Sequence, residues 1–347
     1  MKLNVHNLVR WFQSNYPDIV RDMKECSHHY DDQDELNGYH IEGDVWTHNC
    51  MVVNQCRESN NCNLLVAALL HDIGKPRARK ENPEKKRVHF WGHEPWSMFM
   101  ATPIIDHINS DFDCYIRKQL VLEAISMHTD VYNVPREELA NRLAGKHDLA
   151  QLLSDLSTAD YNGRFYDNGE RDMEPIKWMD KKSVTIDDIT KKPQLICMIG
   201  LPCSGKSSIV LSKPEIMSGY VILSRDLIVR EIGKELNLST YNEAYNKCNQ
   251  DEVNTRFQAR RKLLTNKGVN VILDMTNMGR KARRRNMQGF DKYNKTAEVV
   301  MTSMVNIYQR NAERVGKYIS PSVITRMVTS FQPPLYDEFS TINWRFN

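Results

Sequence analysis

Leu195-Ile196-Cys197-Met198-Ile199-Gly200-Leu201-Pro202-Cys203-Ser204-Gly205-Lys206-Ser207 decides the fold of the C-terminal half. Five apolar residues between a polar stretch and a glycine read as a short buried strand. The next eight fit G-x-x-x-x-G-K-S, in which glycines let backbone N–H groups curl around phosphate oxygens at a helix N-terminus. Lys206 is placed to reach the β/γ-phosphates of ATP or another NTP, and the Ser207 hydroxyl to ligate Mg²⁺. Gly200, Ser204, Gly205, Lys206, Ser207 and Ser208 are the candidate nucleotide contacts.

Outward from this loop, apolar runs recur at Tyr220–Leu223, Val269–Leu273 and Glu298–Met301, separated by helical patterns such as Asp251–Asn266. That alternation predicts an α/β domain with a parallel sheet over 195–347. Ser224-Arg225-Asp226 closes the second strand, at the edge where sites of open α/β sheets form. Asp226 fits a general base that takes the acceptor hydroxyl's proton, or a cap for the helix 227–236. Asp274-Met275-Thr276-Asn277 closes the third strand; Asp274, Thr276 and Asn277 either orient the acceptor or cap a helix. Arg310 and Arg314 lie in a basic helix-to-loop segment, either folding over the triphosphate or solvated. The run Arg280-Lys281-Ala282-Arg283-Arg284-Arg285 reads as a stripe facing nucleic acid or as an exposed helix face.

Upstream the pattern changes. Residues 167–194 are polar and read as a linker, and residues 1–166 read as mostly helical, for example Asn63–Leu70, Lys118–Met127 and Leu149–Asp160. All 11 histidines fall in this first half, between His6 and His147. His71-Asp72 ends an apolar helix, placing an imidazole and a carboxylate at the rim of a core, and His48, His93 and His128 recur at helix-sized intervals. Asp160 continues the apolar face of Leu152 and Leu156, where a carboxylate is costly unless paired or metal-bound. The run 77–87 holds three Arg and three Lys, either guiding a polyanion or forming an ordinary solvated loop.

With 347 residues, 41% hydrophobic and 26% charged, the chain has room for about two domains and excludes collagen-like or wholly disordered architectures. Its longest apolar runs fall well short of the roughly 20 residues of a membrane span, and residues 1–6 lack a secretory signal. A cytoplasmic protein with no membrane partner is expected. Eight cysteines without a Cys-x-x-Cys pair fit reduced thiols rather than a disulfide scaffold or zinc ribbon. The net charge of +3 conceals a split: residues 195–347 carry 23 Lys and Arg against 13 Asp and Glu, and residues 1–194 carry 24 against 31. The basic half implies an anionic partner such as nucleic acid.

Two resemblances follow from these residues. The phosphate loop, Ser-Arg-Asp, Asp-x-Thr-Asn and Arg-Asn-x-x-Arg-x-Gly-Lys, in that order over about 195–335, resemble bacteriophage-type 5′-OH polynucleotide kinases. That resemblance implies Asp226 as the base and Arg314 as a donor-phosphate contact. The family's acceptor-binding arginine, three residues past the base, is Val229 here, with Arg230 one later as its candidate substitute. Over about 35–165 the pattern H…HD…H…H…D resembles the HD phosphohydrolase superfamily, most closely members acting on RNA 2′,3′-ends and nucleotides. It implies one metal held by His48, His71, Asp72 and Asp160, and a second by His93 and His128 with Asp72 bridging. Lys75 would contact the substrate phosphate. Mn²⁺, Fe²⁺, Co²⁺, Ni²⁺ or Zn²⁺ suits such ligands. Together the halves resemble bifunctional end-healing enzymes, which act on RNA termini in the cytoplasm, a host's if phage-encoded, and prepare them for an RNA ligase. Two alternatives stay open: a nucleoside or sugar kinase fused to an HD nucleotide phosphohydrolase, and a nucleotide-sensing regulator that binds nucleic acid. A homo-oligomer is compatible with either half.

Overall fold

Leu64 through Leu70 are seven consecutive buried residues, so the helix Cys62–Leu70 forms the centre of the first half. The Asn61 side chain caps its start by accepting from the Asn63 N–H. Around it pack the helices Val45–Gln55, Lys118–Met127 and His147–Asn162. Asp44 caps the first of these by accepting from the Thr47 N–H. The computed structural model describes residues 1–30, 40–164, 192–211 and 219–347, which fall in two compact units, Met1–Lys181 and Lys182–Asn347. The linker expected over 167–194 lies, through residue 191, outside the described residues.

Immediately after Leu70 the chain makes a turn through His71–Gly74 and a short helix, Lys75–Ala78. An antiparallel hairpin follows, β1 (Lys80–Asn82) and β2 (Arg87–His89), whose three-residue strands are too short for a periodic signal in the sequence. The helix His93–Asp111 then folds back onto the turn. Gly74 makes that return close: a Cβ there would lie 2.4 Å from the Ser97 nitrogen and 2.5 Å from the His93 oxygen. Its N–H donates to Ser97 Oγ at 2.9 Å. Only glycine permits this approach, which brings His93 beside Asp72.

The second unit holds a five-stranded, all-parallel sheet of β3 (Gln194–Ile199), β4 (Val221–Leu223), β5 (Val271–Leu273), β6 (Asn294–Met301) and β7 (Thr341–Phe346). The order is β4-β5-β3-β6-β7, with the strand that precedes the phosphate loop in the middle. Because all strands run one way, the segments after β3, β4 and β5 emerge at the same carboxyl edge. β7 was not expected. It is an edge strand of mixed polarity, held in register by Asn343 and Arg345, which donate to Glu298 of β6 at 2.9 and 3.0 Å. Among the described residues no helix is long and apolar enough to cross a membrane.

Candidate metal centre and phosphoryl-transfer cleft

Six side chains of the first unit, His48, His71, Asp72, His93, His128 and Asp160, converge at one buried point. Asp72 divides its oxygens between two histidine pairs. Oδ2 lies 3.3 Å from His71 Nε2 and 3.7 Å from His48 Nε2, whereas Oδ1 lies 3.1 Å from His93 Nε2 and 3.5 Å from His128 Nε2. Asp160 Oδ1 faces the first pair, 3.1 Å from His48 and 3.8 Å from His71.

The opposite ring nitrogens show which form each imidazole takes. His71, His93 and His128 set Nδ1 against the carbonyl oxygens of Ala68, Phe90 and Ile125 at 2.9, 2.8 and 2.7 Å. His48 Nδ1 lies 3.0 Å from Glu42 Oε1. Carbonyl and carboxylate oxygens only accept, so each Nδ1 carries a proton, and in the neutral ring the Nε2 lone pair faces inward, where a metal can take it. Two such nitrogens, on His93 and His128, stand 3.2 Å apart. Buried His71 Nε2 and Asp72 Oδ1 have no hydrogen-bond donor. Acceptors crowded this way repel one another unless cations lie among them, so the donor set fits divalent metals, with carbonyl or carboxylate partners fixing the rings as metal-binding histidines require.

Fixed cations already tilt the site. Lys75 is buried, with Nζ 2.6 Å from Asp72 Oδ2 and 3.1 Å from His28 Nε2. Arg164 and the Tyr132 hydroxyl donate to Asp160 Oδ2 at 2.8 and 3.0 Å. Burial alone would raise the Asp72 carboxyl, but His71 and Lys75 hold it well below the usual range. Burial acts the same way on Asp160, and Arg164 and His48 outweigh it. Sequence reasoning missed Glu42, Tyr132 and Arg164; no motif or spacing links them to the ligands. A second group, His28, His40 and Glu42, also has close ligand atoms, but the two rings stack 4.1 Å apart with planes only 9° from parallel. Imidazole lone pairs lie in the ring plane, so these two cannot aim at one ion.

In the second unit a cleft of about 1510 Å³ opens at the carboxyl edge of the sheet. That exceeds the roughly 300–1,000 Å³ of single-ligand pockets, leaving room for a nucleotide and a second substrate. Pro202, Cys203, Gly205, Lys206, Ser207 and Ser208 line one end. Gly200 and Ser204 lie beneath the loop: a Cβ on Gly200, at φ +151°, would meet the Val300 oxygen at 2.5 Å. Lys206 Nζ donates to the carbonyls of Gly200 and Leu201 at 2.9 and 2.6 Å, and burial pushes the amine down to about 8. Ser207 is exposed beside it on the first turn of the helix Lys206–Leu211, where its hydroxyl can hold Mg²⁺.

Asp226 also lines the cleft, in the first turn of the helix Arg225–Glu235, whose N-cap is Ser224 rather than Asp226. Both carboxylate oxygens are engaged. The Tyr241 hydroxyl donates to Oδ1 at 2.7 Å, and Lys317 Nζ donates to Oδ2 while lying 3.9 Å over the Tyr241 ring. Burial raises the carboxyl; Lys317, then Tyr241 and Arg314, outweigh it and keep Asp226 below its ordinary value. Asp274, by contrast, is raised by burial, which Lys206 only partly offsets. Arg310 and Arg314 reach over the phosphate loop, donating to Cys203 O at 3.2 Å and Cys203 Sγ at 3.8 Å.

Some expected contacts lie elsewhere. Asp274 and Thr276 line the cleft, but Asn277 turns into the sheet, buried at φ +48°. Its Nδ2 donates to Met198 O at 2.9 Å, and its Oδ1 accepts from Asn286. Arg230 is exposed outside the cleft lining, which Val229 joins instead. The basic run does not form one stripe. Arg283 is fully buried, donating to both oxygens of Glu338 at 3.0 and 2.7 Å and to the carbonyls of Asn277, Met278 and Gln332. Arg280 pairs with Asp337, and from this run only Arg285 joins the cleft lining. Tyr241 and Lys317, the two side chains that donate to Asp226, are the residues missed here. Lys317 stands in the quoted Arg-x-Gly-Lys segment, but nothing in the sequence links it to Asp226.

Comparison with known proteins agrees with this division. The HD domain family matches residues 45–161 and an AAA domain family matches residues 195–334. No curated protein matches the chain. Among solved structures the chain is similar to a protein titled as a kinase from Chloroflexus aurantiacus J-10-fl, at 14% identity over 45% of this chain and 86% of that one, TM-score 0.35. The Pnkp1/Rnl/Hen1 RNA repair complex is 20% identical over 42% and 46%, TM-score 0.33. A gluconokinase from Sinorhizobium meliloti 1021 is 16% identical over 44% and 82%, TM-score 0.31. The chain therefore carries an HD domain, in which six His and Asp side chains converge, followed by a kinase-like AAA domain built on a phosphate loop.

Proposed function

We propose that this protein heals broken RNA or DNA ends with two separate sites. The observation that carries the reading is the pairing, in one chain, of six converging His and Asp side chains with a phosphate-loop cleft lined by Asp226. In the cleft, Asp226 takes the proton of a 5′-hydroxyl as that oxygen bonds to the γ-phosphorus and the β–γ bridging P–O bond breaks, releasing ADP. Lys206 and Arg314 face the charge that spreads over the transferring phosphoryl group. Beyond the base, Arg225, Arg285 and Arg326 also line the cleft, which suits a polyanionic acceptor.

At the metal centre His48, His71, Asp72 and Asp160 would hold one ion, and His93 and His128 a second, with Asp72 shared. Bound metals supply Lewis acidity and a nucleophile from water at neutral pH. Lys75 lies against Asp72, where its ammonium can orient the phosphate of a 2′,3′-cyclic, 2′- or 3′-phosphate end. Water adds to phosphorus, a P–O bond to ribose breaks and the ribose oxygen leaves as a hydroxyl; one such step releases phosphate from a 2′- or 3′-monoester, and a cyclic end needs two, the first opening the ring. The products of both sites, a 3′-hydroxyl and a 5′-phosphate, are what a ligase joins.

Val229 in the cleft lining, with Arg230 outside it, favours a second reading: a nucleoside or sugar acceptor. Site-specific variants test the division of labour. Lys206→Ala or Asp226→Ala should abolish phosphorylation and spare phosphate removal, and Asp72→Ala should do the reverse. Loss of both activities in a folded Asp72→Ala protein would refute the two-site account.

A further inference from the structure

Trp91 is 76% exposed, against the deep burial usual for tryptophan. Its ring stacks on His89, centroids 4.6 Å apart and planes 17° from parallel. The stack is anchored to the metal centre. Between its two members Phe90 accepts from His93 Nδ1 through its carbonyl at 2.8 Å, and its ring packs against His28 at 5.5 Å and beneath the Lys75 ammonium at 5.4 Å. Two chain steps of about 3.8 Å each place the Trp91 Cα no more than about 7.6 Å from that of the ligand His93.

The hairpin beside this stack is sorted by charge. Its register pairs Lys80 with His89, Glu81 with Val88 and Asn82 with Arg87. Cross-strand partners share a face and neighbours along a strand alternate, so Lys80, Asn82, Arg87 and His89 lie together. Glu81 is on the opposite face, where Arg79 donates to it at 2.5 Å. Lys85 and Lys86 follow in the turn, exposed, with Glu84 the acid beside them. One face thus combines cations with an open aromatic ring, the pairing by which proteins hold single-stranded nucleic acid.

We propose that the His89–Trp91 stack and the basic face of the hairpin form a docking surface for a single nucleic-acid strand. The strand's terminal phosphate lies at the metal centre, and the base of its penultimate nucleotide stacks on Trp91. This rests on the phosphohydrolase reading and deepens it: the metal centre acts on strand ends in preference to free nucleotides.

The test compares an oligonucleotide ending in a 3′-phosphate with a nucleoside 3′-monophosphate, on the full-length, metal-loaded protein. Trp91→Ala is expected to raise the oligonucleotide KM by about 5- to 150-fold, the loss of one base–aromatic stack. Its kcat and the mononucleotide KM should stay unchanged, and Trp91→Phe should retain most of the affinity. Arg87→Glu should raise the oligonucleotide KM and flatten its dependence on salt. An equal effect of Trp91→Ala on both substrates, or none on the oligonucleotide, overturns the proposal. A second readout needs no turnover: photocrosslinking of a 3′-phosphate-ended oligonucleotide that carries 4-thiouridine as its penultimate nucleotide, mapped by peptide mass spectrometry. Crosslinks within residues 80–93 support the surface, and crosslinks confined elsewhere overturn it. Should the wild type crosslink there yet hydrolyse neither substrate, the docking surface stands and the phosphohydrolase reading falls.

Discussion

Replacing Lys317 by Met removes the ammonium that donates to Asp226 and leaves a side chain of similar length over the Tyr241 ring. The carboxylate would keep its hydrogen bond from Tyr241 and the more distant field of Arg314, with Lys206 and Asp274 also nearby. Lys317 lowers the Asp226 pKa, so its loss raises that pKa and shrinks the ionised fraction of the base at every pH near or below it. The acid limb of the kinase profile must therefore move to higher pH. An adjacent opposite charge shifts a carboxyl by about 1–3 units. The Asp226 side chain is 53% exposed, so water screens the pair and the low end, about one unit, applies. On the acid limb that is about tenfold in kcat, vanishing on the plateau. The assay is transfer of labelled γ-phosphate to the acceptor from about pH 5 to 9, in wild type, Lys317→Met and Lys317→Arg, the last expected to keep the wild-type limb. A loss equal at all pH values, or an unmoved limb, would refute the assignment of Lys317 to the base.

Three further expectations test how each unit is built. Gly74→Ala places a methyl 2.4 Å from a backbone nitrogen, so the turn carrying Asp72 must separate from His93. Overpacking of this kind costs about 1–3 kcal/mol, read as a lower melting temperature together with reduced metal content. Arg283→Met strips buried Glu338 of its two closest hydrogen bonds and leaves only the longer pair with Arg280 at 3.5 Å, which costs up to about 3–5 kcal/mol and should lower the denaturant midpoint of the kinase-like domain. Arg285→Ala should leave stability unchanged and weaken binding of the acceptor strand alone.

The sequence carried the parts of this protein that obey spacing rules. Residues 195–207 gave strand, loop and helix in order, because a phosphate cradle needs glycines, lysine and serine at fixed steps. His71, His128 and Asp160 were legible as candidate ligands because each ends or continues an apolar helix, while His48 and His93 joined the set through the HD resemblance. What remained hidden depends on contacts between distant segments. Lys317 meets Asp226 across 91 residues. Arg283 looked like its neighbours in a basic run until the 333–338 segment buried it against Glu338. Asn277 reads as a site residue by its motif, yet its amide serves the sheet, because a left-handed turn aims it inward. β7 escaped notice because an edge strand needs no continuous apolar run.

The most direct test uses one RNA oligonucleotide bearing a 5′-hydroxyl and a 2′,3′-cyclic phosphate, resolved on a gel after incubation with ATP and Mg²⁺, with and without Mn²⁺ or Ni²⁺. The account predicts gain of a 5′-phosphate that Lys206→Ala abolishes, and loss of the terminal phosphate that depends on the transition metal and on Asp72. An oligonucleotide unchanged at both ends, while a nucleoside or sugar is phosphorylated under the same conditions, would contradict it.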